Sequence, residues 1–147
     1  MKPENLAVTS SASIPSAPSG SLVRDKNLKL SLDAGASGGV LVLHCQGRMI
    51  FRSEARALST IVAEVLPSAG RMVVDLAGID SVDSGGLGEL VLTHMWAEAA
   101  GFSLKFASPK KSVRHLFEST NLISVLDVYG SVPEAMAAMS EEEVHSS

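Results

Sequence analysis

The segment of the chain with the clearest chemical potential is Asp83-Ser84-Gly85-Gly86, where a hydroxyl follows a carboxylate and precedes two glycines. Such a serine could cap a helix, attack a carbonyl carbon, or accept a phosphoryl group. Phosphorylation would add a charge of about −1.5 to −2 and three strong acceptor oxygens. Two residues that can cap a helix, followed by two glycines, exceed what a helix start alone requires. A purely capping role therefore stands as the alternative to a functional one.

The catalytic interpretation rests on a partial overlap with the serine-protease motif Gly-Asp-Ser-Gly-Gly. His44 and Asp75 even precede Ser84 in the chymotrypsin order. However, Val82 stands where that motif has its first glycine, and it also breaks the Gly-x-Ser-x-Gly elbow of hydrolases. The chain is also too short for two β-barrels. We therefore expect no enzymatic activity.

The neighbouring elements place Ser84 where a strand ends and a helix begins. Residues 72–76 are apolar and predict a buried strand. After Ser84, apolar residues recur at intervals of three and four, as on one face of a helix. These are Leu87, Leu90, Val91 and Met95. Ser84 is thus predicted at or next to the N-cap, with Gly85 and Gly86 leaving the first turn open to another molecule.

The remaining elements alternate between strands and helices. Strands are predicted at residues 28–32, 40–46, 102–106 and 125–128, and helices at 54–66, 108–120 and 131–139. The first two strands form a hairpin, Ser108 and Pro109 open one helix, and Ser131 and Glu134 have capping-box spacing. This pattern predicts an α/β fold with a mixed sheet of four to five strands and about four helices packed against it.

Composition narrows the function. The 147 residues carry a net charge of −4 with dispersed basic residues, which gives no indication of nucleic-acid binding. Cys45 is the only cysteine, and the four histidines lack metal-ligand spacing, so we expect no metal and no cofactor. No apolar stretch is long enough for membrane insertion, and the start lacks the apolar core of a secretory signal. A cytoplasmic location is expected.

The two ends of the chain differ from the middle in composition. Residues 1–25 are predicted to be a disordered tail rich in Ser, Ala and Pro, and residues 141–147 a polar tail. One folded domain is expected between them, at residues 26–140.

The motifs along this domain resemble the STAS domain of anti-sigma-factor antagonists. The resemblance is carried by the hexapeptide at residues 83–88, with the strands at 73–76 and 101–105 on either side. It continues through residues 111–117, the helix exit Thr120-Asn121-Leu122 and the last helix, and so covers about residues 41–139. It implies the STAS version of the α/β fold.

The resemblance also implies a function and a site. Unphosphorylated antagonists bind an anti-sigma factor that is itself a serine kinase; the kinase phosphorylates the antagonist's serine, which matches Ser84, and a serine phosphatase restores it. The partner surface would include the loop at residues 47–53 and the turn after Ser84. Its members are Ile50, Phe51, Arg52, Ser53, Asp83, Ser84, Gly85, Gly86, Leu87 and Gly88.

Two departures from the family pattern affect this site. Gly85 stands where many antagonists have a second serine or an alanine, which excludes a second phosphorylation there. Arg48 and Ile50 stand where many have acidic residues, and this difference in charge weakens the inference that the chain binds the family's usual kinase partner. Ile50 and Phe51 could form a different hydrophobic contact or begin the core. The alternative function is a STAS subunit of another assembly, such as a lipid-transport complex, in which Ser84 is only a cap.

Overall fold

The structure is a computed structural model that describes residues 21–24, 28–33, 39–49 and 52–145. Six strands and four helices lie along this part of the chain, and they alternate from the third strand onward. They are β1 (Ser21–Arg24), β2 (Leu28–Asp33), β3 (Leu41–Met49), α1 (Arg52–Ala69), β4 (Arg71–Val82), α2 (Ser84–Ala99), β5 (Ser103–Ala107), α3 (Lys111–Ser119), β6 (Val128–Tyr129) and α4 (Val132–His145).

The strands form one mixed sheet in the order β1-β2-β3-β4-β5-β6. The first three strands pair antiparallel, and β3 to β6 pair in parallel. The predicted α/β fold and the hairpin of β2 and β3 are confirmed. The sheet has one strand more than the upper prediction because β1 pairs with β2 from within the segment assigned to the N-terminal tail.

The alternation of side chains along the strands gives the sheet two different faces. The larger core lies between the sheet and helices α1 to α3, with Leu43, Val74 and Phe106 among its fully buried residues. A smaller cluster on the other face packs Val73 and Ala107 against α4. The sheet thus has three helices on one face and one helix on the other.

Two helix starts test the predictions from capping motifs. At α4, the Ser131 hydroxyl accepts from the Glu134 amide at 3.2 Å, while Glu134 accepts from the Gly130 amide at 3.1 Å. The capping-box prediction is therefore correct for its serine half. The predicted start at Ser108 and Pro109 is wrong, because Ser108 has a φ of 62° and α3 begins only at Lys111.

Candidate functional site

The candidate site lies where β4 ends at Val82 and α2 begins at Ser84, with Asp83 between them. Asp83 has extended backbone angles, and its carboxylate accepts from the Gly86 amide at 2.9 Å. Its carbonyl accepts from the Leu87 amide at 2.8 Å, which closes the first helical turn. Asp83 is therefore the N-cap, and Ser84 is the first residue of the helix.

Ser84 is exposed, as is Asp83 beside it. Within the described residues the Ser84 hydroxyl makes no hydrogen bond, because the capping position next to it is already filled by a carboxylate. The hydroxyl lies at the positive end of the helix dipole, where an anionic group is favoured. Ser84 is thus accessible to modification and is not needed to start α2.

The two glycines after Ser84 do not have the predicted common role. Gly86 is buried, and a Cβ atom on it would lie 2.3 Å from the Met49 carbonyl oxygen. The same carbonyl accepts from the Asp83 amide at 3.2 Å. Gly86 therefore lets the helix start pack against the end of β3, and the prediction that it leaves the turn open to another molecule is wrong.

The predicted partner surface is divided by this packing. Leu87 belongs to the core, with 4% of its surface exposed, and Gly86 is also buried, so neither residue is accessible to a partner. Gly88 is exposed, and a Cβ atom there would meet nothing within 4 Å. The accessible part of this turn consists of Asp83, Ser84 and Gly88, with Gly85 partly exposed.

The other half of the predicted surface runs from the end of β3 into the first turn of α1. The predicted loop at residues 47–53 is shorter in the structure, since β3 continues to Met49 and α1 begins at Arg52. Ile50 and Phe51 lie outside the described residues, and the side chains of Arg52 and Ser53 do as well. Arg48 is exposed and pairs in register with Ser81 of β4.

An ion pair links the end of β4, which leads to Ser84, with the residue before α3. Lys110, just before α3, donates to the exposed Asp80 carboxylate near the end of β4. With Asp83, Asp80 makes this end of β4 acidic in side chains, and the lysine partly offsets that charge. A phosphate on Ser84 would therefore join existing negative charge.

The structure pairs His44 with Asp75, two members of the triad considered above, and leaves Ser84 far from both. His44 Nδ1 and Asp75 Oδ2 are 2.8 Å apart, on adjacent strands. Val82 lies seven residues after Asp75 on β4, a distance of about 23 Å along an extended strand. Ser84 follows Val82 and is far beyond hydrogen-bond reach of the His44 ring, so the geometry gives no support for a nucleophilic role.

Other site chemistry is not found in the described part of the chain. No group of three His, Cys, Asp or Glu side chains is arranged there to hold a metal ion. Cys45 is buried, and burial, together with the nearby Asp75 charge, raises the pKa of its thiol well above the usual range. None of the described helices combines the length and apolar character needed to cross a membrane.

Comparison with known proteins identifies the family. The STAS-domain model matches residues 31–135, which include every strand from β3 to β6 and the Ser84 turn. The chain belongs to the STAS-domain family. No curated protein shows significant sequence similarity to it.

Solved structures of two kinds share the fold. An anti-sigma factor antagonist from Mycobacterium paratuberculosis has a TM-score of 0.65 and 20% identity, over 76% of this chain and 92% of that one. SpoIIAA of Bacillus matches in its unphosphorylated form (TM-score 0.59, 14% identity, 76% and 96% covered) and its phosphorylated form (0.55, 13%, 75% and 98%). A sulfate transporter family protein from Wolinella succinogenes has a TM-score of 0.58 and 16% identity, over 72% and 93%. At these identities the likeness establishes the fold alone.

Proposed function

We propose that this STAS protein is an anti-sigma-factor antagonist, a non-enzymatic switch that binds its partner while Ser84 is unphosphorylated and is released by phosphorylation. The partner would be an anti-sigma factor with serine kinase activity, and a serine phosphatase would restore the hydroxyl. The observation that carries the proposal is that the residue that caps α2 and the residue that is accessible for modification are different. Asp83 caps the helix, and Ser84 is left exposed with its hydroxyl free of internal bonds.

The helix start explains why phosphorylation would leave the fold intact. The new charge would lie at the positive end of α2, where a phosphate is stabilised by the helix dipole and the first-turn amides. It would replace no hydrogen bond within the described residues, since the Ser84 hydroxyl makes none there.

The same charge would act differently on a bound partner. A protein packed over Ser84 would bury a phosphate beside the exposed carboxylate of Asp83. Burying an unpaired charge costs several kcal/mol unless cations compensate for it. Phosphorylation would therefore release the partner by repulsion and desolvation, with no rearrangement of the sheet.

The structural neighbours are consistent with this mechanism. SpoIIAA is an anti-sigma factor antagonist whose fold resembles this chain in both its unphosphorylated and phosphorylated forms. The kinase and phosphatase that we propose for this chain would act on it in the cytoplasm.

The test combines phosphosite mass spectrometry with quantitative recovery of partners from the native cells, using the full-length chain. We expect phosphate at Ser84, retention of the kinase partner by Ser84→Ala, and a loss of at least about 100-fold in affinity with Ser84→Asp. Ser140→Asp is the matched control, because Ser140 is also exposed but lies on α4, on the opposite face of the sheet. Equal partner binding by both aspartate variants would refute the switch.

A second candidate function follows from the other kind of neighbour. A sulfate transporter family protein and an anion transporter share the fold, so a STAS subunit of a transport assembly is the competing proposal. It predicts that the chain is recovered in a stable complex with transport proteins, that Ser84 carries no phosphate, and that Ser84→Asp leaves the complex intact.

A further inference from the structure

A small groove lies on the face of the sheet that carries α4, to one side of that helix. α4 packs against β4, β5 and β6, so the neighbouring strands β2 and β3 are left more accessible on this face. The groove has a volume of about 290 Å³ and crosses β2, β3 and the middle of β4. We call it the β2–β4 groove. Its polar side chains are Lys29, Ser31, His44, Gln46 and Asp75.

The strand register explains why these five side chains meet. They alternate along their strands with residues of the larger core and therefore point to the opposite face. Ser31, His44 and Asp75 are register partners across the three strands. Lys29 and Gln46 are partners in the next row of the sheet. Adjacent strands lie about 4.8 Å apart, so the side chains of one row are close neighbours.

Asp75 fixes both an imidazole ring and a bulge in β4. One carboxylate oxygen, Oδ2, lies 2.8 Å from His44 Nδ1, and the other accepts from the Ala77 amide at 3.0 Å. Between these rows β4 advances three residues, from Asp75 to Gly78, while β3 advances two. Bulges of this kind are common beside functional sites, where they redirect a side chain. With Nδ1 engaged by Asp75, Nε2 is the ring nitrogen of His44 that is left for a ligand.

The other polar side chains of the groove have hydrogen-bond donors that the fold does not use. Lys29, Ser31 and Gln46 make no hydrogen bond within the described residues. Gln46 is nevertheless held in place by packing, since a Cβ atom on Gly78 would lie 2.7 Å from the Gln46 Cγ atom. The side chain of Gln46 therefore lies directly over Gly78. Its amide, the ammonium of Lys29 and the hydroxyl of Ser31 are all available to a bound molecule.

The donors of the β2–β4 groove suit a tetrahedral oxyanion. When His44 is protonated, its charge and that of Lys29 exceed the single negative charge of Asp75, and hydrogen bonds from charged donors to an anion are the strong ones. An ammonium, an imidazolium, a hydroxyl and an amide are more donors than the two oxygens of a carboxylate need. We propose that the β2–β4 groove binds a phosphate group, with Lys29 and His44 as its charged donors and Ser31 and Gln46 as its neutral ones. The volume is roughly ten times the ~30 Å³ of a water molecule, which leaves room for a short organic group on the phosphate.

Titration of the full-length chain with inorganic phosphate tests this assignment. Chloride keeps the ionic strength constant, and a pH of about 5.5 favours protonated histidine. We expect the NMR signals of the His44 ring to shift and saturate, whereas those of the buried His94 and of His115 on α3 stay in place. Acetate should bind at least about threefold more weakly because it offers fewer oxygens. No saturation at His44, equal shifts at all three histidines, or equal affinity for acetate would overturn the proposal.

The same assay separates two sources of the phosphate group. Glycerol 3-phosphate adds a short organic group to the anion. If it binds more tightly than inorganic phosphate, the groove recognises the phosphate group of a small organic molecule. Equal affinities would identify free phosphate as the ligand.

Charge-matched variants show whether the site is local. Lys29→Gln and His44→Gln should each lower the affinity for phosphate at least about tenfold, because each removes a charge-assisted hydrogen bond. Lys29 is exposed, so its replacement does not endanger the fold. Lys111→Gln removes the same charge from an exposed position on α3 and should change the affinity by less than about twofold. Equal losses from the two lysine variants would mean a general attraction of anions and would overturn the proposal.

The phosphate site and the Ser84 switch can fail independently. Ser84 follows the end of β4, far along the strand from Asp75, and contributes nothing to the groove. Ser84→Ala should therefore bind phosphate as the wild type does, and Lys29→Gln should leave modification of Ser84 unchanged. Loss of phosphate binding in Ser84→Ala would overturn the assignment to the β2–β4 groove.

Discussion

The turn around Ser84 (the Ser84 turn) and the buried group formed by Lys105, Asp127 and Glu142 (the Lys105 cluster) differ in how their polar side chains are bonded. At the Ser84 turn, Asp83 and Ser84 are exposed and the serine hydroxyl has no internal partner in the described residues. In the Lys105 cluster, a lysine of β5 that is 1% exposed donates to Asp127 at 2.9 Å and to Glu142 of α4 at 2.6 Å. Its ammonium also lies 5.4 Å from the centre of the Tyr129 ring.

The difference separates a group available to partners from groups that hold the fold together. Burial lowers the pKa of Lys105, but its hydrogen bonds to Glu142 and Asp127 outweigh burial, so the net pKa is raised. A charge balanced in this way attaches α4 to the sheet and has no capacity left for a partner. Ser84 is the reverse case, since its surroundings neither use its hydroxyl nor block access to it.

The largest effect should come from removing both carboxylates of the Lys105 cluster. Asp127→Asn with Glu142→Gln leaves a buried ammonium without a counter-charge, which should lower the free energy of unfolding by about 3–5 kcal/mol. Asparagine is chosen because residue 127 has a φ of 58°. Chemical denaturation measures the loss.

Lys105→Met is the matched control for that prediction. It removes the buried charge and leaves the carboxylates of Asp127 and Glu142, which are 40% and 54% exposed and can be hydrated. Its cost should be less than half that of the double variant. If Lys105→Met costs as much, the cluster stabilises the protein through packing and not through charge balance.

Gly86 and Gly88, two of the three glycines of α2, give the next largest effect. Gly86→Ala would put a methyl group 2.3 Å from the Met49 carbonyl oxygen and should cost about 1–3 kcal/mol of stability or more. Gly88→Ala meets nothing within 4 Å and should stabilise the helix by about 0.5–1 kcal/mol. Thermal unfolding of the pair checks the signs. Equal effects would mean that the α2 start is not packed on β3 as described.

Local sequence signals predicted the Ser84 turn well and the Lys105 cluster not at all. A strand followed by Asp83, Ser84 and two glycines indicates a helix start, because capping depends on neighbouring residues. Which glycine is buried depends on Met49, and the burial of Lys105 depends on Glu142, so both are set by contacts far apart in sequence. Lys105 alternates with apolar residues in β5, which is the pattern of a solvent-facing position. In the structure α4 covers it, and Lys105 donates to Glu142 of that helix.

Asp83→Ala and Ser84→Ala test which residue caps α2. Loss of the Asp83 carboxylate removes the hydrogen bond to the Gly86 amide and should cost about 1 kcal/mol. Ser84→Ala removes no bond within the described residues and should change stability by less than about 0.5 kcal/mol. Urea denaturation measures both losses of stability. If Ser84→Ala cost more than Asp83→Ala, Ser84 would be the structural cap, and its hydroxyl would stabilise the fold as the Lys105 cluster does.

The smallest effect is expected from alkaline pH, because Lys105 stays protonated through the physiological range. With its pKa raised in the folded state, the stabilisation from Lys105 is fully present below the unfolded lysine pKa of about 10.4 and is lost as pH rises through the higher folded value. Ser84 has no charge to lose, so Ser84→Ala should follow the wild-type stability curve. Lys105→Met should show a shallower decline above about pH 10 than either, measured by denaturation across the alkaline range. If the wild type, Ser84→Ala and Lys105→Met all lost stability in parallel, the loss at alkaline pH would come from groups outside the Lys105 cluster. The two regions would then not differ in how charge contributes to stability.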